Sequence, residues 1–112
     1  MNAEMKEDLI KWSKENDNLV FEKFINFLYD VEQNEEIIYI SYLGEQIRGK
    51  IRYCSFVYNK RYSDFDFQIQ LSDVDYGLYL SYIFMDSIKM KTEKEYEILN
   101  NNGKVFLIRK EK

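Results

Sequence analysis

Basic residues are concentrated in one segment in the middle of the chain, with the spacing of a β-strand. Arg48, Lys50 and Arg52 alternate with apolar residues, so they project from one face of an extended strand. Two more cations follow, Lys60 and Arg61, and three tyrosines are close in sequence, Tyr53, Tyr58 and Tyr62. Because cations neutralise phosphates and aromatic rings stack on bases, this segment is a candidate site for nucleic acid.

A structural interpretation of the same cations is the alternative. Opposite charges on adjacent strands stabilise antiparallel sheets, and Asp66 lies among glutamines on the next predicted strand. The whole chain has 16 Lys and Arg against 20 Asp and Glu, a net charge of −4. Since proteins that bind nucleic acid usually carry a basic excess, the sequence favours the structural interpretation.

Aspartates and aromatic residues alternate in a second segment, around the third predicted strand. The candidate residues for binding a partner protein are Asp64, Asp66, Asp73, Asp75, Tyr62 and Tyr76. Carboxylates on a firm scaffold resemble a row of phosphates, so they suit the basic groove of a nucleic-acid enzyme. A solvated turn is an equally weighted alternative, because Asp and Ser are common turn residues.

The sequence lacks the residues that several kinds of catalytic and metal sites require. The chain has no His, which excludes Ser-His-Asp triads and His-ligated metals, and its four glycines stand too far apart for a phosphate-binding loop. Cys54, the single cysteine, falls on the alternation face of Arg48 and Arg52, but a small buried hydrophobe is its favoured interpretation. We therefore expect no enzymatic activity, no metal and no cofactor.

The first third of the chain has the periodicity of helices. Apolar residues recur at helical spacing, at Val20, Phe24, Phe27, Leu28 and Val31, and the Asn-rich residues 16–18 precede them. These features predict a helix from about Asn18 to Val31, and a shorter stripe formed by Met5, Leu9 and Trp12 predicts a second helix upstream. Residues 1–36 hold four Lys against ten acids, whereas residues 37–112 hold twelve cations against ten, so the helical part is the acidic one.

The rest of the chain has the pattern of strands. Strands are predicted at residues 37–43, 46–56, 65–71, 78–84, 96–99 and 105–108, with a hairpin at Asn100–Gly103. In the second strand Ile51 and Tyr53 are predicted to share one face, and Gly49 indicates a bend or a close backbone approach. We expect one α+β domain over residues 1–112. Residues 1–34 are its acidic helix or helix pair, packed on residues 36–110 as a small, strongly bent antiparallel sheet or barrel of five to six strands.

The segment Leu43-Gly44-Glu45-Gln46-Ile47-Arg48-Gly49-Lys50-Ile51, with Phe67-Gln68-Ile69-Gln70-Leu71-Ser72-Asp73, resembles the first half of an Sm-like small β-barrel. Residues 80–88 are similar to the end of such barrels, or of the related WYL domain. The resemblance covers about residues 37–90 and implies a barrel that assembles into rings and binds RNA. The Arg-Gly pair of that family's pocket would fall at Met85-Asp86, where it is absent, so the RNA site does not follow from the resemblance.

Composition and the predicted sites together indicate a protein that binds rather than catalyses. The sequence predicts a protein-binding regulator or inhibitor that engages its partner through the acidic, tyrosine-rich segment. Its Lys, Glu, Asn and Ile content indicates an AT-rich genome. A compact acidic protein from such a genome, without catalytic residues, fits an inhibitor, and the hypothesis is a phage protein with an anti-defence role that is directed at a host nucleic-acid enzyme. An Sm-like nucleic-acid or nucleotide binder is the alternative. The absence of a long apolar run and of a leader pattern predicts a cytoplasmic protein that does not enter a membrane.

Overall fold

The computed structural model describes residues 1–61, 63–72, 78–83, 87–99, 103 and 105–111, with the backbone alone for residues 64 and 78–83. Two helices come first, α1 (Ala3–Glu15) and α2 (Leu19–Gln33). Seven strands follow: β1 (Ile37–Tyr42), β2 (Glu45–Asn59), β3 (Asp64–Leu71), β4 (Leu78–Ile83), β5 (Lys89–Thr92), β6 (Glu95–Leu99) and β7 (Val105–Lys110). The six predicted strands are present over their described residues, and the four-residue β5 is an additional one. The predicted hairpin turn at residues 100–103 lies outside the described residues except for Gly103.

Asparagine side chains begin both helices. The Asn2 side chain accepts a hydrogen bond from the Met5 backbone N–H at 2.8 Å, and Asn18 accepts one from Phe21 at 3.0 Å. Each bond satisfies a backbone donor that has no partner within the helix. The predicted helix over residues 18–31 is confirmed with slightly wider bounds, and Asn18 is its N-cap.

The strands form one antiparallel sheet in the order β4-β3-β2-β1-β7-β6-β5. The 15-residue β2 pairs with β1 through residues 45–50 and with β3 through residues 51–59. The predicted α+β class is confirmed, with a helix pair packed on an antiparallel sheet. The alternative of a closed barrel is not confirmed, because β4 and β5 form opposite edges of the sheet and do not pair with each other. The helices cover the apolar face of the sheet, which in a barrel would face the interior.

Aromatic rings make up much of the core between the helices and the sheet. Phe21 and Phe24 of α2 are fully buried, and their rings meet those of β2 and β3 edge-on or stacked at 5.6–6.3 Å between centroids. Phe24 and Phe27 also contact Tyr96 of β6, at 5.1 and 5.0 Å. Because the rings join α2 to both halves of the sheet, one core holds the described residues together.

Gly49 lies where β2 passes from one neighbour to the other. A Cβ atom at this position would stand 2.6 Å from the backbone oxygen of Ser72, which is far closer than real Cβ contacts. The Ser72 backbone N–H donates to the Lys50 carbonyl at 2.8 Å, and its Oγ accepts from the Lys50 N–H at 3.2 Å. The predicted close backbone approach at Gly49 is confirmed.

Candidate functional site

The sheet has a helix face, which packs on α1 and α2, and an outer face on the opposite side. On β1 and β7 the residues that point to the helices, Ile38, Ile40, Phe106 and Ile108, are buried. Their neighbours in sequence therefore lie on the outer face. The register places residues of the outer face in two rows across β7, β1 and β2. Arg109, Tyr39 and Arg48 form one row, and Glu111, which directly follows β7, forms the next row with Ile37 and Lys50.

A β-bulge in β2 extends this surface. Ile51 pairs with Leu71 and Tyr53 pairs with Gln70, so Arg52 is an extra residue without a partner position on β3. Arg52 and Tyr53 are consequently both exposed between buried Ile51 and Cys54, and Tyr53 keeps 48% of its surface accessible. The prediction that Tyr53 shares the face of Ile51 is wrong, because the bulge reverses the alternation beyond it.

Two residues, Glu111 and Tyr39, hold the Arg48 side chain in place. Its Nε and Nη2 donate to Oε1 of Glu111 at 3.0 and 2.9 Å, and Nε also lies 3.2 Å from the Tyr39 hydroxyl. The Tyr39 hydroxyl donates to the same Glu111 oxygen at 2.9 Å. Hydrogen bonds to Glu111 and then to Tyr39 raise the pKa of the Arg48 guanidinium above its ordinary value. Arg48 is therefore a structural cation as well as an exposed one.

Lys50 and Arg52 differ from Arg48 in that they have no ion pair with a described carboxylate. Both are exposed, and no carboxylate in the part of the chain that the structure describes lies within ion-pair distance of either. Asp66, the partner suggested by the sequence, stands opposite Val57, five positions beyond Arg52 along β2. The register of β2 and β3 therefore does not place Asp66 opposite Lys50 or Arg52, as the structural interpretation expected.

Lys60 and Arg61 do not join this cluster. They lie in the turn after β2, eight and nine residues beyond Arg52, and eight residues correspond to roughly 26 Å of extended strand. The Arg61 backbone N–H donates to the Asn59 side chain at 3.0 Å within that turn. The structure instead brings Arg109 to the cluster, a cation that the sequence analysis missed because it lies some sixty residues away in the chain.

The acidic candidates fall mostly outside the described residues. Asp73, Asp75, Tyr62 and Tyr76 belong to the undescribed positions, and for Asp64 only the backbone at the start of β3 is described. Asp66 is half-buried on β3, on the outer face. Binding of a partner protein through this segment stays a prediction.

Cys54 lies on the helix face and not with Arg48 and Arg52, again because of the bulge. It is 2% exposed, and burial raises the pKa of its thiol far above the ordinary value. A buried thiol that keeps its proton is a poor nucleophile, so the small-hydrophobe interpretation fits the structure. Among the described residues, no three acidic or cysteine side chains are grouped to hold a metal ion, and none of the helices is long and apolar enough to span a membrane.

The outer face of β1, β2 and β7 is locally basic. It carries Arg48, Lys50, Arg52 and Arg109 against Glu111, a local balance of +3. Glu95 and Glu97 on β6 border it, with Glu95 opposite Arg109 in the register. Comparisons of the chain with protein-family models, curated proteins and solved structures gave no match. The arrangement of charges and rings on this outer face is therefore the basis for a functional proposal.

Proposed function

We propose that the protein is a non-catalytic module that binds single-stranded nucleic acid on the outer face of its sheet. The observation that supports this most is the pair Lys50 and Arg52, two exposed cations without a carboxylate partner among the described residues, next to the exposed ring of Tyr53. Flexible single strands place phosphates on cations and bases on rings, which is the combination that this surface offers.

Each group has a separate task in the proposal. Lys50 and Arg52 contact phosphates, and Tyr53 supplies a ring on which a base stacks. The guanidinium of Arg109, whose carbon lies 4.1 Å from the centre of the Tyr39 ring, supplies a planar group on which a second base stacks. Arg48 contributes charge while Glu111 and Tyr39 fix its position.

The distribution of charge supports binding in one orientation. The helices and the residues beside them carry the acidic excess of residues 1–36, and they pack on the opposite side of the sheet. A polyanion is therefore attracted by the outer face and repelled by the helical layer. The net charge of −4 accordingly does not exclude a local nucleic-acid site, although it lowers the affinity. A cytoplasmic location is part of this proposal, since single-stranded nucleic acid occurs there.

The test is fluorescence anisotropy with a labelled oligonucleotide of about twelve thymidines or uridines, at low salt. We expect saturable binding whose association constant falls with salt, with a slope of about −1.4 on logarithmic axes, as for the phosphates neutralised by Lys50 and Arg52. In the variant Lys50→Gln/Arg52→Gln, affinity should fall by about tenfold or more.

The matched control is Lys11→Gln/Lys14→Gln, which removes the same charge from the exposed side of α1. This control should bind almost as the wild type does. Equal losses in the two variants would mean a general charge effect and would overturn the proposed site, as would an absence of binding at low salt. Lys60→Gln, at the distant turn, should have little effect.

The regulator or inhibitor hypothesis concerns other residues. It uses Asp64, Asp66, Asp73 and Asp75 on and around β3, and a host nucleic-acid enzyme as its partner. Changing these four residues to Asn should abolish capture of that partner and leave oligonucleotide binding unchanged. The two functions are compatible in one protein, because the cations and the aspartates are separate sets of residues.

A further inference from the structure

A cavity lies on the helix face, between α1 and the β2–β3 hairpin. Its volume is about 510 Å³, within the range of small-ligand pockets. Its floor is formed by Phe56 and Phe65, which are 5% and 4% exposed, and its walls include Trp12, Tyr58 and Met5. The cavity is therefore mostly apolar and aromatic, and Lys50, Arg52 and Arg109 of the outer face are not among its lining residues.

The rings around the cavity are held in defined orientations. The Trp12 ring meets Phe65 edge-on at 4.9 Å between centroids, with an interplanar angle of 88°. Tyr58 meets Phe65 at 5.1 Å and 64°, and 44% of its surface stays accessible. Rings set at steep angles to one another around a space offer several π faces to one guest, as in the aromatic sites that bind alkylammonium groups.

Two carboxylates stand at the mouth of this cavity. Glu4 and Asp8 line it, are exposed, and lie one helical turn apart on the stripe of α1 that continues to Trp12. No cation in the described part of the chain forms an ion pair with either carboxylate. The positive N-terminal end of the α1 dipole stabilises the charge of Glu4 in the first turn, but Asp8 lies beyond that turn. Two like charges four residues apart on a helix are also unfavourable.

We propose that this cavity binds a lysine or arginine side chain of a partner protein. The hydrocarbon stem of such a side chain fits an apolar, aromatic space, while its charged end meets the ring faces and the carboxylates at the mouth. A neutral apolar side chain would use the rings and leave the two carboxylates uncompensated. The proposal goes beyond nucleic-acid binding and does not depend on it, because it uses residues on the other side of the sheet.

Trp12 makes the test specific to this cavity. It is the single tryptophan of the chain, so its emission reports on this place alone. The probes are three capped glycine peptides that differ in one central residue, lysine, arginine or norleucine. We expect saturable changes in Trp12 emission with the lysine and arginine peptides, at dissociation constants about fivefold or more below that of the uncharged norleucine peptide.

Variants then separate charge from shape. Glu4→Gln/Asp8→Asn keeps the size of both side chains and should bring the affinity for the lysine and arginine peptides close to that for norleucine. Glu7→Gln/Glu15→Gln removes the same charge from exposed positions of α1 that do not line the cavity, and should leave the preference intact. Lys50→Gln/Arg52→Gln should also leave it intact, which separates this proposal from the nucleic-acid one.

Three results would overturn the proposal. One is an absence of any saturable change in Trp12 emission up to about 50 mM peptide, a concentration at which even a weak cation–π contact gives measurable occupancy. Another is equal affinity for norleucine and lysine, which would mean an apolar cavity without charge recognition. The third is an unchanged preference for cations in Glu4→Gln/Asp8→Asn.

Discussion

The guanidinium carbon of Arg109 on β7 lies 4.1 Å from the centre of the Tyr39 ring on the adjacent strand β1. On the other side of β1, Arg48 lies 5.8 Å from the same ring centre. Tyr39 thus separates two arginines that would otherwise repel each other, and its hydroxyl shares the Glu111 carboxylate with Arg48. Among the described residues on the outer face of β1, β2 and β7, Glu111 is the one acid, and its removal gives the first prediction.

Glu111→Gln should strengthen oligonucleotide binding. The substitution removes a negative charge from the outer face and releases Arg48 to contact a phosphate. We expect affinity to rise by about threefold at low salt and the logarithmic salt slope to steepen by about 0.7, the value for one more phosphate on a single strand. Anisotropy over a salt series measures both quantities. Glu22→Gln on α2 is the control with the same charge change, and an equal gain there would contradict the role of Glu111.

Gly49→Ala should destabilise the fold. The added methyl group would stand 2.6 Å from the Ser72 backbone oxygen, so β2 and the end of β3 must separate. The expected loss in free energy of unfolding is about 1–3 kcal/mol, as for other overpacked positions. Urea denaturation followed by far-UV circular dichroism measures it. Lys50→Ala, at the exposed neighbouring position, should change stability by less than about 0.5 kcal/mol; similar losses in both variants would refute the close-approach argument.

Asn18→Ala should weaken the start of α2. The Asn18 side chain accepts the Phe21 backbone N–H, and an alanine cannot replace that acceptor. Losing such a cap costs about 1 kcal/mol of stability, which urea denaturation resolves. Asn34→Ala, at the other end of the same helix, should have a smaller effect because there the backbone N–H of Asn34 donates to the Asp30 carbonyl, and alanine keeps that donor. A loss at Asn34 as large as that at Asn18 would count against the cap.

Stability should fall at alkaline pH. Burial raises the pKa of the Cys54 thiol above its ordinary 9.0, and burial, aided by the Glu93 charge, raises that of Tyr96 above 10.0. The folded protein then keeps protons that the unfolded chain releases, so the free energy of unfolding declines as pH rises through about 9 and above.

Denaturation at a series of pH values measures this decline in stability. Cys54→Ala should flatten the slope from about pH 9, and Tyr96→Phe should flatten it from about pH 10, because each removes one of the buried protons. Tyr58→Phe, at an exposed tyrosine, is the control. Wild-type and Cys54→Ala slopes that coincide would show that the thiol makes no contribution.

Local patterns in the sequence predicted the elements, while long-range register determined the site. The stripe from Val20 to Val31 was enough to place α2, because a helix needs only its own spacing and an N-cap. The bulge at Arg52 was not visible, since it depends on which β3 residue faces which β2 residue. It exchanged the faces of Tyr53 and Cys54 relative to the prediction.

Partners that are distant in sequence were also missed. Arg109 and Glu111 reach the cations of β2 only because β7 pairs with β1, and no local signal in the terminal segment indicates that pairing. The same holds for Glu4 and Asp8, because only the tertiary structure places these two acids of α1 around one cavity with Tyr58 and Phe65. Charge and periodicity identified the types of residue, and tertiary contacts decided which of them meet.

The pairing of β1 with β7 also has a consequence for synthesis in the cell. Tyr39 and Glu111 are 72 positions apart, yet β1, which holds Tyr39, and β7, which ends just before Glu111, are neighbours in the middle of the sheet. On the ribosome, β1 can pair with β2 early but keeps an open hydrogen-bonding edge until β7 has been made. Open edges recruit strands from other chains, and distant pairings form slowly. A nascent chain halted before residue 105 should therefore be prone to aggregate, whereas one extended past residue 111 should protect that edge within itself.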